Sequence, residues 1–508
     1  MKFEIIILKD EYFFGGAIEE AIKMPYKEGF KSDLREHFYS NQCSPTLLST
    51  KGRIIRSEEP FYYEFLKDSI VFECSSEVKV LEVGTCLKDA YDYFRSHYFE
   101  KYDGILSDLM LTAPQYDTWI SMEYAPSQEK VLKYAHEIID RGFTPGVMII
   151  DDSWALDYGV FEWNRALFPD PKKMVDELHQ LGFKVLLWET PYISPDTANF
   201  RKAREEKIIT FDNDGKPVLA EWWNGFSGVL DLSNPGGREW LIKQNEYMMR
   251  EYGIDGFKMD AADPHLYPNT CKFYDGSHKA YQSKYYADVA LNYDLCELRA
   301  CYKSEGAPIS QRMVDKNQSW TDCGIDRLVP DAIAMSLMGY FYFAPDMVGG
   351  GMIIDFWNKN YAYDQEYFVR YAQIATFLPM IQYSLAPWRI LNEENYKIID
   401  GLKDLRQKLV PYIIEQKRKA ETLKEPIIKS LEYAYPNSGY EKEMSEFLLG
   451  DDILVAPIIV QGQTKRIVVV PDGTWYDEDG KEYQKGTYEI FAPLNKIIYL
   501  LKDKNLLK

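Results

Sequence analysis

Residues 128–152 read QEKVLKYAHEIIDRGFTPGVMIIDD, and two periodicities meet inside this one stretch. In its first half Val131, Tyr134, Ala135 and Ile138 recur at i, i+3 and i+4 spacing with Lys and Glu on the opposite face, which predicts an amphipathic helix over 128–141. The second half, 146–152, is an apolar run that ends in two aspartates and predicts a strand buried on both faces. A helix that feeds such a strand is the repeating unit of a parallel β/α fold.

Outward from this unit the alternation recurs. Strand-like segments fall at 118–122, 146–152, 183–190, 256–260, 295–302, 309–315, 339–346 and 377–383, with helix-like stretches such as 171–181 between them. Eight units predict a (β/α)8 TIM barrel over 115–420, so the class is α/β. Before it, 1–114 divides into short alternating runs at 2–8, 69–73 and 78–83, set among Gly, Pro, Asn and Ser clusters, and reads as an N-terminal β-sandwich. After a helical stretch near 396–420, alternation returns at 452–459, 465–470, 473–476 and 497–501. Asp472-Gly473 and Asp479-Gly480 mark turns there, so 421–508 reads as a second all-β domain, a C-terminal β-sandwich.

Composition narrows the partners. The 508 residues carry 59 Lys and Arg against 79 Asp and Glu, a formal charge of −20, which opposes binding to a phosphate backbone and excludes nucleic acid as an expected partner. The aromatic share is 15%, and acidic groups among rings suit a neutral polar ligand such as a sugar. Seven scattered cysteines without a C-x-x-C pair, and six histidines without ligand spacing, predict reduced thiols and no metal or organic cofactor. No apolar run approaches the ~18 residues of a membrane span. The stretch from Met1 to Asp10 is too short and acidic for a signal sequence. The expectation is therefore a cytoplasmic chain with no membrane partner, free to form a homo-oligomer.

Catalytic groups of such barrels sit at the C-terminal ends of the strands. Four predicted strands end in carboxylates: Asp151 and Asp152, Asp260, Asp315 and Asp346. Any one of them could cap the helix that follows, but four at one rim exceed what capping requires. Asp260 and Asp315 end the fourth and sixth strands, whose shared parity points them into one layer of the mouth. A pair of carboxyl groups ~5–5.5 Å apart is what retaining glycoside hydrolysis needs, one as nucleophile and one as acid. Lys258 and Arg312 stand close by in sequence, either to hold carboxylates ionised or sugar hydroxyls, or as ion pairs inside the barrel. On this reading Asp260 is ionised beside Lys258, and Asp315 is kept protonated by burial or by the charge of Asp260. Trp119, Trp154, Trp188, Trp222, Trp223 and Trp320 gather at the same strand ends, and one of Trp222 and Trp223 is expected to wall the sugar site.

Several of these segments resemble glycoside hydrolase family 31, the retaining α-glycosidases. Residues 255–260, DGFKMD, are similar to the family's nucleophile motif, and 339–350, GYFYFAPDMVGG, to its strand-seven signature, whose Asp binds substrate hydroxyls. Residues 450–457 and 471–477 resemble its C-terminal sandwich. Around the acid/base the sequence departs from the common Trp-x-Gly-Asp form and reads QRMVDKNQSW at 311–320, closer to the subgroup of the myogenesis-regulating glycosidase. The resemblance implies Asp260 as nucleophile and Asp315 as acid/base, with Asp322 as the rival for the second role. It implies Asp151, Asp152, Trp188, Trp223, Lys258, Arg299, Arg312 and Asp346 as substrate-binding residues. It further implies a retaining exo-α-glycosidase on a small oligosaccharide or glycoside, α-galactosidase first. The alternatives are an α-glucosidase or α-xylosidase, a transglycosylase, and a catalytically silent carbohydrate-binding protein.

Overall fold

The computed structural model describes residues 1–36, 42–357 and 363–507. At its centre eight parallel strands follow one another: Gln115–Asp117, Val147–Ile150, Lys184–Glu189, Gly256–Met259, Cys296–Leu298, Gln311–Arg312, Phe343–Ala344 and Gln382–Tyr383. They are numbered first to eighth below. Each pairs with its neighbour in sequence, and the eighth returns to the first through Gln382 and Gln115. A parallel bridge between Met347 and Gln382 joins the chain after the seventh strand to the eighth and closes the ring.

The second strand, Val-Met-Ile-Ile, is buried along its whole length, as a strand with barrel interior on one side and helices on the other must be. The helix before it, Gln128–Asp140, begins where the Ser127 side chain accepts the N–H of Lys130, and it buries Val131, Tyr134, Ala135 and Ile138. A fully buried Val or Ile contributes roughly 1.5–3 kcal/mol, so this one face anchors the helix. Asp170 caps the next helix, Pro171–Gln180, and Pro171 supplies a first-turn position that needs no N–H. Gly256 opens the fourth strand because a Cβ there would lie 1.8 Å from the Leu295 carbonyl oxygen. That close approach sets the fourth strand against the fifth, and these two carry Asp260 and Arg299 to the mouth.

Before the barrel lie two sheets. One is antiparallel, formed by Lys2–Ile6, Ser69–Cys74, Phe61–Phe65 and Lys31–Asp33; the other is built on Gln42–Ser49, Arg53–Ser57 and Val78–Glu82. After the barrel a six-stranded sheet and the ribbon Lys465–Val470 with Gly486–Phe491 enclose a separate core around Leu454, Val468, Trp475 and Leu500. All seven cysteines are free, and Cys271 and Cys323 are the two that are not buried. Among the described residues no helix is long and apolar enough to cross a membrane.

Three elements differ from the sequence reading. The segment expected as the first strand, 118–122, is a helical turn at Trp119–Met122, and the strand is Gln115–Asp117; a short apolar run satisfies either period. The N-terminal region contains a helix, Leu87–Tyr98, whose Leu87, Ala90, Tyr91 and Phe94 pack inward. The expected fifth strand, 295–302, divides: Cys296–Leu298 stays in the barrel, while Cys301–Tyr302 pairs with Gln42–Ser49 and ties the two regions together.

Candidate active site

The chain turns sharply as it leaves the strands that carry the acids. Ser153 after the second strand (φ 74°), Ala261 and Ala262 after the fourth (59° and 62°) and Asp346 after the seventh (83°) all occupy the left-handed region. Non-glycine residues held there cost about 1–3 kcal/mol each and cluster at functional sites. Four of the twelve such residues among the described ones therefore fall on the rim that the carboxylates mark, while others, such as Lys207 and Asn437, lie elsewhere.

Asp260 emerges from the fourth strand with both oxygens engaged. Trp188 Nε1 donates to Oδ2 at 2.8 Å, and the Ala261 N–H donates to Oδ1 at 2.8 Å. Arg299, at the end of the fifth strand, reaches Asp260 Oδ1 at 3.7 Å through Nε and Asp315 Oδ2 at 3.7 Å through Nη1. One guanidinium thus touches both carboxyl groups. Buried Asp263 holds the same arginine, Oδ2 to Nε 3.4 Å, and the Trp223 ring lies 5.1 Å from the guanidinium. Asp322 is exposed on a turn, where its carbonyl accepts from Asn317 Nδ2 at 2.8 Å; it is Asp315 that is brought to Asp260's arginine.

Two electrostatic expectations are corrected here. Lys258 donates to Asp117 Oδ2 at 2.7 Å and Asp151 Oδ2 at 2.5 Å, deep in the barrel, so the cation beside Asp260 is Arg299 and not Lys258. Burial would lower the Lys258 ammonium, but these two carboxylates outweigh it and hold it above its ordinary value. Two of its three N–H donors are taken by these acids, so Lys258 is an interior ion pair. Asp315, expected to be protonated, is held below the usual carboxylate range: burial pushes it up, and Arg312 and Arg299 together more than reverse that push.

Arg312 and Asp346 form the far side of the mouth. Arg312 Nη1 donates to Asp315 Oδ1 and, at 2.9 Å, to Asp346 Oδ1, while Nε faces Glu297 Oε1 at 3.4 Å. Asp346 is fully buried, and its Oδ2 accepts the N–H groups of Lys316 at 2.8 Å and Gly351 at 2.7 Å. A carboxylate so held fixes the two loops and orients Arg312. Arg312 is thus ion-paired inside the barrel and at the same time holds Asp315 ionised, so both of these roles are found together.

The second and third strands build the opposite wall. Asp151 is taken up by Lys258 and by the N–H of Asp152 at 2.8 Å. Asp152 accepts from Asn224 Nδ2 at 2.8 Å and Tyr158 OH at 3.2 Å. Burial and the adjacent Asp151 push the Asp152 carboxyl up to about 7; burial and Asp117 push Asp151 up to about 8. Trp188 stacks parallel to Trp222, which lies flat on Tyr192 with centroids 4.4 Å apart. Trp222 is buried in this stack, whereas Trp223 is 42% exposed, so Trp223 is the member of the pair that faces outward beside Arg299.

Comparison with known proteins places this geometry. The family model for the glycosyl hydrolases family 31 TIM-barrel domain matches residues 109–416, and that for the family's C-terminal domain matches 424–507. The chain belongs to glycosyl hydrolase family 31. Within the family it is similar to the myogenesis-regulating glycosidase of Mus musculus, 29% identical over 412 residues, which cover 79% of this chain and 57% of that protein. It is also similar to α-xylosidase XylQ of Lactiplantibacillus pentosus, 25% identical over 396 residues, 72% of this chain and 50% of the relative. The chain spans about half the length of the curated relatives it matches. Among solved structures a Flavobacterium johnsoniae family 31 dextranase complexed with glucose superposes with TM-score 0.84 at 21% identity, covering 99% of this chain and 66% of that one. A family 31 α-xylosidase from a soil metagenome complexed with xylose gives TM-score 0.83 at 18% identity, covering 100% and 80%.

Against that family 31 frame, sequence reasoning missed Asp117, Asp263, Asn224 and Tyr158. Asp117 ends the true first strand and was hidden by the misplaced segment 118–122. Asp263 lies three residues after Asp260, and only the paired left-handed turn at Ala261 and Ala262 brings it back to Arg299. Asn224 and Tyr158 sit on excursions after the third and second strands, and nothing in their spacing points to Asp152.

Proposed function

We propose that this chain is a retaining exo-α-glycosidase acting on a small oligosaccharide or glycoside, with α-galactosides as the first substrate class and α-glucosides or α-xylosides as the second. The observation that carries the reading is the bridge of Arg299 between Asp260 and Asp315 at the barrel mouth. In this mechanism an Asp260 oxygen attacks the anomeric carbon, the bond to the leaving oxygen breaks, and Asp315 delivers its proton to that oxygen. Asp315 then takes a proton from water as the water oxygen attacks the same carbon, and Asp260 is released. Arg299 is placed to accompany the charge as it passes between the two carboxyl groups. Trp188 and Ala261 hold Asp260 in one orientation, which a nucleophile must keep through both steps. The names of the relatives, glycosidase and xylosidase among them, support the class of reaction, and the preference for galactose follows from the sequence resemblance.

Initial rates on p-nitrophenyl α- and β-glycosides of galactose, glucose and xylose, with Asp260→Ala as control, test this. Turnover of one α-glycoside that the variant lacks, with azide rescue yielding a β-glycosyl azide, is the expected result. Turnover undiminished in Asp260→Ala removes the assignment. A second reading, a sugar-binding protein without turnover, draws on the Arg312 contact that keeps the Asp315 carboxyl low; sugar binding with silence across the panel would select it.

A further inference from the structure

A cavity of about 330 Å³ opens beside the reaction centre without including it. Its lining contains Asp152, Trp154, Leu156, Tyr158, Phe161 and Trp188, under the hairpin formed by Ala155–Asp157 and Val160–Trp163. The geometry points to a second sugar subsite here, one that takes a neutral hexose joined to the C4–C6 end of the glycone. This rests on the roles given above to Asp260 and Asp315.

Position is the first reason. The cavity belongs to the ends of the second and third strands, and Asp315 follows the sixth, four places round an eight-stranded ring from the second and so across the mouth. The leaving group departs on the side of the residue that protonates it. In a pyranose C4 lies across the ring from C1, so a glycone with C1 at Asp260 and Asp315 directs its C4–C6 end to Asp152 and Trp188. A group carried on that end continues into the cavity. Trp188 belongs to both spaces, since its Nε1 holds Asp260 while the residue also lines the cavity.

Chemistry selects the occupant. Among the described residues the lining contains no Lys, Arg or His, and Asp152, Asp157 and Glu189 border it, so a sulfonate, phosphate or uronate is repelled. Tyr158 and Phe161 offer ring surface to the C–H face of a sugar, and Asp152, Asp157 and Asn164 offer acceptors to its hydroxyls. The volume falls at the lower end of the roughly 300–1,000 Å³ of small-molecule sites, which fits one further ring and not a chain.

The test compares kcat/KM for p-nitrophenyl α-monosaccharides with that for the matching disaccharide glycosides, p-nitrophenyl α-maltoside and α-isomaltoside and the 4- and 6-linked galactobiosides. The released sugar is identified by chromatography. The wild type is expected to favour one disaccharide glycoside by about tenfold or more, the scale of a few well-made pocket contacts, and to release the disaccharide intact. Leu156→Trp, at a hairpin position 56% exposed and so tolerant of a large ring, should lower the disaccharide-to-monosaccharide ratio by about the same factor. Calorimetry on Asp260→Ala with the free mono- and disaccharides gives a readout that does not require turnover. Turnover with no disaccharide preference, or a ratio that Leu156→Trp does not move, overturns the subsite and leaves the glycosidase reading intact. Silence toward all glycosides with tighter disaccharide binding removes the catalytic reading and keeps the subsite. Equal or absent binding of the two sugars overturns it.

Discussion

The indole Nε1 of Trp188 donates to Asp260 Oδ2 at 2.8 Å across the boundary between the third and fourth barrel strands, whose register sets Trp188 opposite Lys258. The contact fixes the rotation of the Asp260 carboxyl, because the Ala261 N–H holds its other oxygen. Trp188→Phe keeps an aromatic ring in the stack but deletes the donor along with part of the indole. A hydrogen bond to a carboxylate is worth about 1.5–3 kcal/mol, so kcat/KM on the preferred aryl glycoside should fall roughly 10- to 100-fold. Thermal unfolding should change little; an unaltered kcat/KM in a folded variant would show that the orientation of Asp260 does not depend on this bond.

Lys258 makes the opposite kind of prediction. Its ammonium is shared by Asp117 and Asp151 where water does not reach, and removing one partner of a buried pair leaves uncompensated charge at a cost of about 3–5 kcal/mol. Lys258→Met should therefore lower the unfolding midpoint in urea sharply. Adding Asp117→Asn should recover part of the loss, because it removes one orphaned acid. If Lys258→Met instead retains wild-type stability and raises KM alone, the lysine is a sugar ligand after all.

These two residues also show how far the sequence can be read. The strand ends were legible because an apolar run followed by an acid survives any small error in boundaries, so Asp152, Asp260, Asp315 and Asp346 were found together. Which acid faces which cation was not, because side-chain partners in a barrel come from strands far apart in sequence. Lys258 lies two residues before Asp260 yet reaches inward to acids on strands one and two, and Arg299, 39 residues after Asp260 by its number, supplies the cation instead. Asp346 was recognised by its motif, but only the three-dimensional arrangement reveals that Lys316, Gly351 and Arg312 hold it. The first strand was misplaced by a few residues, and that alone concealed Asp117.

The raised carboxyl of Asp152 has a consequence for stability. An unfolded aspartate titrates near 3.9, and in the folded chain burial and Asp151 push Asp152 up to about 7. Between these values the folded state binds more protons than the unfolded one, so the contribution of Asp152 to stability falls as pH rises from about 4 to about 7 and is level above that. Asp152→Asn removes this term, and its melting temperature should decline less across the same window. Parallel curves for the two proteins between pH 4.5 and 7.5 would show that Asp152 titrates as an ordinary surface acid.

Asp315 is held low by Arg312 and Arg299, yet its proposed first act is to give up a proton. Only the protonated fraction can assist a poor leaving group, so kcat/KM should fall as pH rises through the acid range, and the working range should lie on the acid side of neutrality. Arg312→Gln takes away the closer guanidinium and should move that alkaline limb to higher pH, even as maximal activity drops because Asp346 and Glu297 lose their partner. A 2,4-dinitrophenyl glycoside, whose leaving group departs without a proton, should show neither the limb nor its displacement. An alkaline limb that stays fixed in Arg312→Gln, or that persists unchanged with the dinitrophenyl substrate, would assign the limb to a group other than Asp315 and reopen the choice of acid.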